Sequence, residues 1–455
     1  MNNLGNLDKK FIWHPFTPMR FWLDNDPLVI ERGEGVYLID TKGNRYIDGV
    51  SSLWCNVHGH GHEHINQAIR NQLEKIAHST LLGLASPPSI ELAQKLVGIA
   101  PQGLTKVFYS DCGAAAVEIA IKMALQYWRN LGAKNKIRFV ALKQSYHGDT
   151  IGSVSIGGIS LFHQIFGPLT FKAIFTDSPH PYRFDGTAKE CRDYCLMQMK
   201  KVLIEHRKEV AAIVVEPLVQ GAAGLIVHPE GFLKGVEELA RNNDVLLIVD
   251  EVATGFGKTG TMFACEQEKV QPDIMCVAKG LAGGYLPVAA TLAGPRIFEA
   301  FLREPWVETT FYHGHTFTGN ALGCAAAIAS LEVFEKEKTL ENLPPKIALI
   351  EKYLKEISEL DFVGNCRSRG VMAGIELVEN IKSKKNFDYN CRVGAHLCQA
   401  MRNRGVILRP LGDVIVIMPP LSISLPELQV LFELVQDGIQ KDLPAVLARC
   451  KHNQP

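Results

Sequence analysis

The sequence has no excess of charge of either sign, no long uninterrupted apolar run, no C-x-x-C pair, no internal repeat and no low-complexity linker. Lys and Arg number 48 and Asp and Glu number 48, so the formal net charge is zero. With both signs interleaved there is no basic field to gather nucleic acid or anionic lipid, and neither nucleic acid nor membrane is an expected partner. The apolar run AAIVVEPLVQGAAGLIV is broken by Glu216 and by glycines before it could cross a bilayer. The opening MNNLGNLDKKFIWHPF lacks the apolar centre of a signal peptide, so the expected location is the cytoplasm. The 11 cysteines are odd in number and scattered, which speaks against a disulfide framework and against a zinc site. Reduced, mostly buried thiols are the expectation.

What the chain does have is material for a large core. It runs to 455 residues, 47% of them hydrophobic and 21% charged, a length that suits roughly two to three domains. In VYLIDTKGNRYIDGVSS two β-type stretches flank Lys42, Gly43 and Asn44 as in a hairpin, predicting a small β-containing N-terminal lobe. From His62 the pattern turns helical, with Ile65, Ile69, Leu73 and Ile76 on one face, and a second helix is expected after Pro87 and Pro88. Short β-rich runs then alternate with helical ones: KVFYSD, AAAVEIAIKMALQYWRN, IRFVAL, AAIVVEP, VLLIVDE, DIMCVA and VAATLAG. Such alternation predicts an α/β fold with a mostly parallel sheet flanked by helices. Further on, the strands GVILRP and VIVIMPP and a helix opened by the capping-box pattern Ser424-Leu425-Pro426-Glu427 predict a smaller α+β domain. The expected division is 1–61 as the N-terminal segment of the small domain, 62–330 as the large domain, and 331–455 as the C-terminal small domain.

The chemistry concentrates where VLLIVDEVATGFGKTG is followed by PDIMCVAKG, which sets Asp250 at one strand end and Lys279 at the end of the next. The carboxyl ends of parallel strands are where open α/β sheets bind ligands. An amine and an acid there suit pyridoxal 5′-phosphate, whose aldehyde needs a lysine and whose ring nitrogen needs an acidic partner. In SDCGAAAVEIA a Gly-containing turn runs straight into a helix, so the N–H groups of Gly113 and Ala114 are candidates to bind a phosphate. Tyr146, beside His147 and Gly148 in QSYHGDTIG, could stack on a planar ring. Gly314, His315 and Thr316 of HGHTFTGN are short polar groups suited to grip a phosphate. Singly, each of these has a plain structural explanation: a strand cap, a solvated loop lysine, an ordinary turn, a packed tyrosine.

Two patterns are set aside. Gly255-Phe256-Gly257-Lys258-Thr259-Gly260 matches G-x-G-x-x-G, but a dinucleotide site expects an acid at the end of the next strand, where this chain has Lys279. The tract HGHGHEH, from His58 to His64, has no accompanying carboxylate or thiolate pattern and reads as a turn before a helix, so no metal is assigned.

DEVATGFGKTG, the lysine of VAKG and HGHTFTGN together resemble the class III, fold type I pyridoxal phosphate aminotransferases over nearly the whole chain. WHPFTPM, SSLWCNVHGHGH, SDCGAAAVEIAIKMALQYW, YHGDTIG, GGYLPVAATL and LRPLGDVIVIMPP are similar to the biotin-pathway branch of that family. The resemblance implies amination of 8-amino-7-oxononanoate to 7,8-diaminononanoate by a homodimer with shared active sites. It implies that Lys279 binds the cofactor covalently, Asp250 pairs with its ring nitrogen, Val252 and Tyr146 cover its faces, and Gly113, Ala114, His315 and Thr316 serve its phosphate, Thr316 from the partner subunit. Arg409 is implied to hold the substrate carboxylate, with Phe16, Leu53, Trp54, Tyr146, Lys279 and Gly314 as further substrate contacts. Phe16, Leu53 and Ala114 stand where the S-adenosylmethionine-using pattern has tyrosine, tryptophan and serine, so the expected amino donor is S-adenosylmethionine or lysine. The alternatives are another class III aminotransferase acting on ornithine, 4-aminobutyrate or an ω-amine and, more remotely, a nicotinamide-dependent dehydrogenase.

Overall fold

In a computed structural model, which describes residues 4–452, the alternating runs form a seven-stranded sheet. Its order is Lys106–Ser110, Ala289–Ala293, Ile274–Val277, Leu246–Asp250, Val210–Val215, Arg138–Leu142 and Ile174–Thr176. Every neighbouring pair is parallel except the two made by Ala289–Ala293. The central strands are buried from end to end, as VAAIVV and LLIVD are, because helices cover both faces. Their runs of Val, Ile and Leu therefore show no alternation of polar and apolar residues.

The two chain ends meet in a separate sheet. Ile30–Glu34, Tyr37–Asp40 and Arg45–Asp48 form an antiparallel meander, turned at Lys42, Gly43 and Asn44, and Val406–Ile407 adds to it parallel to Arg45–Asp48. A further four-stranded sheet, Val363–Arg369, Met372–Leu377, Val414–Ile417 and Arg409–Leu411, carries the C-terminal part. The helix Leu425–Lys441 opens with the anticipated capping box: Ser424 Oγ accepts from the Glu427 N–H and Glu427 Oε2 from the Ser424 N–H. No helix among the described residues is long and apolar enough to cross a membrane.

Three expectations need correction or detail. The helix Glu63–Lys75 buries Ile65 and packs Ile69 on the core, but Leu73 is 58% and Ile76 48% exposed. Its apolar stripe outruns the surface it covers, and Ile76 lies past the helix end. Cys391 and Cys450 are joined as a disulfide rather than reduced, because the helices Val393–Ala400 and Leu443–His452 pack together and bring their Cα atoms to 5.3 Å. The other nine thiols are free, six of them buried. The histidine tract is a turn tied down by side chains, with His58 bonded to Ser330, His62 to Glu337 and His64 to Glu332 of the helix Ala321–Lys336 and its C-cap.

Candidate active site

Asp250 and Cys276 are register partners on adjacent parallel strands, so the end of the strand Ile274–Val277 brings Lys279 beside Asp250. Both line a cavity of 790 Å³ together with Phe16, Leu53, Trp54, Gly113, Ala114, Tyr146, Val252 and Arg409. Ten residues singled out along more than 390 positions of sequence thus converge on one space. A larger, more open depression of 1030 Å³ lies beside the strand Ile174–Thr176. Three of its cations are already paired, Arg138 with Glu209, Lys143 with Asp177 and Arg183 with Glu376, so it offers little unspent charge.

Asp250 is 4% exposed and fully engaged: its Oδ2 bonds His147 Nδ1 at 2.7 Å and its Oδ1 accepts the Val252 N–H at 3.0 Å. The short contact puts the imidazole proton on Nδ1, facing the carboxylate. Burial works against a charged His147, but the hydrogen bond and charge of Asp250 outweigh it and raise its pKa. Glu216 completes this buried group, accepting the N–H groups of Tyr146 at 3.0 Å and Gly221 at 2.8 Å. Burial pushes its carboxyl up to about 7. Neither His147 nor Glu216 was assigned a role from sequence, although Glu216 directly follows the apolar strand Val210–Val215, much as Asp250 ends its own.

Lys279 sits in the left-handed region, with φ 45°, and its Nζ lies 4.9 Å from the centre of the Trp54 ring. Burial lowers its pKa, Asp250, Glu216 and Cys55 oppose that, and the Arg409 charge adds to the lowering. An amine whose charged form is disfavoured is the form that can attack a carbonyl or take up a proton. Arg409 forms no side-chain hydrogen bond or ion pair with any described residue, and burial lowers its pKa. A half-buried guanidinium facing a cavity without a carboxylate partner is a site for one.

The remaining groups shape the space. The helix Gly113–Asn130 starts at the cavity, and Cys112 makes no side-chain bond to its first turn, which leaves N–H groups free for an anion. Gly113 must be glycine because a Cβ there would come 2.5 Å from Val252 Cγ1. Gly148, at φ 119°, lets the Tyr146 loop settle on Ala114. The Tyr146 hydroxyl donates to Asp149 at 2.7 Å, and its ring stacks at 6.1 Å on His163 and meets Phe162 edge-on. Phe162 in turn packs against Phe16. Leu53 and Trp54 come from a turn, Ser51–Trp54, whose four residues all have positive φ; each such L-residue costs roughly 1–2 kcal/mol.

Gly314, His315 and Thr316 are not brought to this cavity by their own chain. Gly314 and Thr316 are exposed, and His315 Nε2 lies 3.9 Å from Asp111 Oδ1. The Gly255–Gly260 segment is a series of turns followed by the short 3-10 helix Ala264–Glu268 and not by an α-helix, unlike a dinucleotide-binding loop. Among the described residues no group of three or more His, Cys, Asp or Glu side chains converges as for a metal ion.

The set fits pyridoxal phosphate: a deprotonatable amine, a buried and oriented carboxylate, a side chain for either face of a ring, and a helix start for a phosphate share one cavity. Comparison with known proteins agrees. The model of the family described as aminotransferase class-III matches residues 21–439. The chain is 53% identical over 96% of its length, and 81% of the relative's, to the adenosylmethionine-8-amino-7-oxononanoate aminotransferase of Nitratidesulfovibrio vulgaris. It is 50% identical to the protein of that name from Geobacter sulfurreducens, covering 97% of this chain and 98% of the other. Among solved structures, the adenosylmethionine-8-amino-7-oxononanoate aminotransferase of Methanocaldococcus jannaschii superposes with a TM-score of 0.92 at 47% identity, over 96% and 98% of the two chains. An omega transaminase from Pseudomonas jessenii, solved in complex with PMP, superposes with a TM-score of 0.93 at 30% identity, over 97% and 98%.

Proposed function

The chain belongs to the class III aminotransferases, and on that premise we propose that it aminates 8-amino-7-oxononanoate to 7,8-diaminononanoate, a step of biotin biosynthesis. The observation that carries the reading is the meeting of Lys279, the Asp250–His147 pair and the unpaired Arg409 in one cavity.

When bound, pyridoxal phosphate supplies an electron sink for the carbon whose amino group is moved. Asp250, held by His147 and the Val252 N–H, keeps a negative charge at the ring nitrogen. Val252 and Tyr146 would cover the two faces of the ring, and the start of the helix Gly113–Asn130 would receive the phosphate through the N–H groups of Gly113 and Ala114. Lys279 anchors the cofactor through Nζ. Not bound to the cofactor, the same nitrogen would be the group that holds or moves a proton at the reacting carbon, which its burial favours. Arg409 holds the acceptor carboxylate at the far end and so orients a long apolar chain toward Lys279.

S-adenosylmethionine is the proposed donor, in keeping with the names of the relatives. Lysine is the second reading. Phe16 and Leu53, at 55% and 47% exposure in the cavity, supply neither the hydroxyl nor the indole N–H of the common pattern. We further propose a cytoplasmic homodimer divided into segments 1–61, 62–330 and 331–455, in which the Gly314–Thr316 loop serves the cavity of a second copy. The exposed Tyr312, Phe317, Leu82 and Leu84 around that loop support this. Light scattering on the eluted protein tests the dimer.

The test of function is the visible spectrum of the purified holoenzyme on adding S-adenosylmethionine or lysine, followed by assay of 7,8-diaminononanoate from 8-amino-7-oxononanoate. Loss of the cofactor band with S-adenosylmethionine and formation of the diamine are expected. Preference for ornithine, 4-aminobutyrate or a simple ω-amine over 8-amino-7-oxononanoate would overturn the substrate assignment.

A further inference from the structure

Ser51, Ser52, Leu53 and Trp54 have φ of 43°, 48°, 71° and 68°, a left-handed turn with no glycine in it. L-residues avoid this region because Cβ crowds the next carbonyl, so a run of four persists only where its surroundings over-determine it. Those surroundings centre on Asp48, the last residue of the strand Arg45–Asp48, whose side chain is fully buried. Its Oδ1 accepts the Ser52 N–H at 2.9 Å, and its Oδ2 accepts the Ser52 hydroxyl at 2.7 Å and His60 Nε2–H at 3.0 Å. Asn56 Nδ2 donates to the other nitrogen of His60 at 2.9 Å, which fixes the ring proton on the side of Asp48. Lys258, 1% exposed, gives its one side-chain hydrogen bond to Ser51 Oγ at 3.2 Å. The backbone closes the turn with Trp54 N–H to Val50 O and Cys55 N–H to Ser51 O.

What the turn carries is the wall of the cavity. Leu53 and Trp54 both line it, and the Trp54 ring is the one beneath Lys279 Nζ. The same strand pairs Asp48 with Ile407, two residues before Arg409, and the Gly49 N–H bonds Ile407 O at 3.0 Å. Asp48 is thus the point from which the wall and the neighbouring anchor strand are both hung.

We propose that Asp48 is a positioning residue for the acceptor: it locks the Ser51–Trp54 turn in its left-handed form and thereby sets Leu53 and Trp54 against Arg409 and Lys279. The proposal rests on the reading of this cavity as the active site. Its test uses the holoenzyme with Asp48→Ala, Ser52→Gly and the double variant, labelled with 5-fluorotryptophan, the Trp54 resonance being assigned with Trp54→Phe. Asp48→Ala is expected to raise the acceptor KM by about tenfold or more, the effect of losing buried hydrogen bonds to a charged group, and to move or broaden the Trp54 resonance. The fall in kcat should stay within about threefold. Glycine adopts positive φ without the Cβ penalty, so Ser52→Gly in the Asp48→Ala background should recover most of the KM and return the resonance. Loss of packing at position 48 could not be repaired by deleting a second side chain. If Asp48→Ala does not fold, Asp48→Asn, which keeps an acceptor for the Ser52 N–H, should give an intermediate KM that Ser52→Gly again improves. An unchanged KM, or a double variant no better than the single, overturns the proposal. Because the Trp54 resonance is read without substrate, an inactive wild type would sink the functional reading and still leave the turn under test.

Discussion

The floor of the cavity and the wall that faces it are built by opposite means. On the floor, Asp250 ends a strand of the seven-stranded sheet, Glu216 and His147 lie buried just beyond the ends of two others, and each carboxylate oxygen has a donor. The wall comes from the chain ends: a strained turn carrying Leu53 and Trp54, Phe16 at 55% exposure, and Arg409 with no side-chain hydrogen bond or ion pair among the described residues. A buried network whose carboxylate oxygens are all satisfied keeps its geometry whatever enters, although His147 Nε2 has no partner among the described residues. An exposed wall with an unspent charge leaves its interactions to the ligand. On the proposed function, the reaction would be fixed by the large sheet and the choice of substrate by the small lobe, and changes in the two regions should separate into losses of rate and losses of binding.

The largest effect is expected on the floor. Lys279→Ala should abolish turnover, because one nitrogen serves as both anchor and base. Steady-state activity at the normal rate would remove Lys279 from the site. Next comes the wall: Arg409→Ala deletes a charge-assisted hydrogen-bond pair of about 1.5–3 kcal/mol, or roughly 10- to 150-fold. The loss should appear in KM for 8-amino-7-oxononanoate, with cofactor affinity unchanged. Equal losses in cofactor binding and KM would dissolve the distinction between floor and wall.

The floor also predicts a pH dependence of stability. Burial raises the Glu216 carboxyl from its ordinary 4.5 to about 7, so the native state binds the extra proton between those limits. Its contribution is fully present below about 4.5 and declines as pH rises to about 7, by no more than about 3 kcal/mol. Glu251, buried and also raised to about 7, adds a decline of the same sign. Denaturant titrations across this range should therefore show a shallower fall for Glu216→Gln than for the wild type. An identical slope would mean that Glu216 is ionised throughout.

Much of the floor was legible in the sequence, because acids and lysines at the ends of apolar strands fall at the open edge of a parallel sheet wherever the βα alternation is regular. The signal that found Asp250 would also have found Glu216, the residue that follows AAIVV, and Asp48, the residue that ends RYID. What sequence could not give was the partner of each: His147 reaches Asp250 across 103 residues and His60 reaches Asp48 across 12. The wall was less legible still. Ser-Ser-Leu-Trp carries no glycine or asparagine to announce a left-handed turn, and Cys391 and Cys450, separated by 59 residues, carry no spacing that marks them as a pair. Leu73 and Ile76 failed in the other direction, since helical periodicity records which side is apolar and not how far the neighbouring surface extends.

The smallest effect tests the wall alone. Phe16 meets Phe162 edge-on at 5.4 Å, and Phe162 lies against Tyr146, so the Phe16 ring continues an aromatic row from the floor to the cavity mouth. Phe16→Tyr adds a hydroxyl to a ring already half exposed, so the new group need not be desolvated without a partner. If S-adenosylmethionine is the donor, that hydroxyl offers its polar groups one neutral hydrogen bond, about 1 kcal/mol or roughly fivefold in kcat/KM. The acceptor half-reaction, anchored at Arg409 instead, should not respond. A gain confined to the S-adenosylmethionine half-reaction would locate donor recognition at this corner of the wall. A variant that loses activity with lysine and gains none with S-adenosylmethionine would instead mark the phenylalanine as part of a lysine site, and would make the wall, with the floor untouched, the place where the donor is chosen.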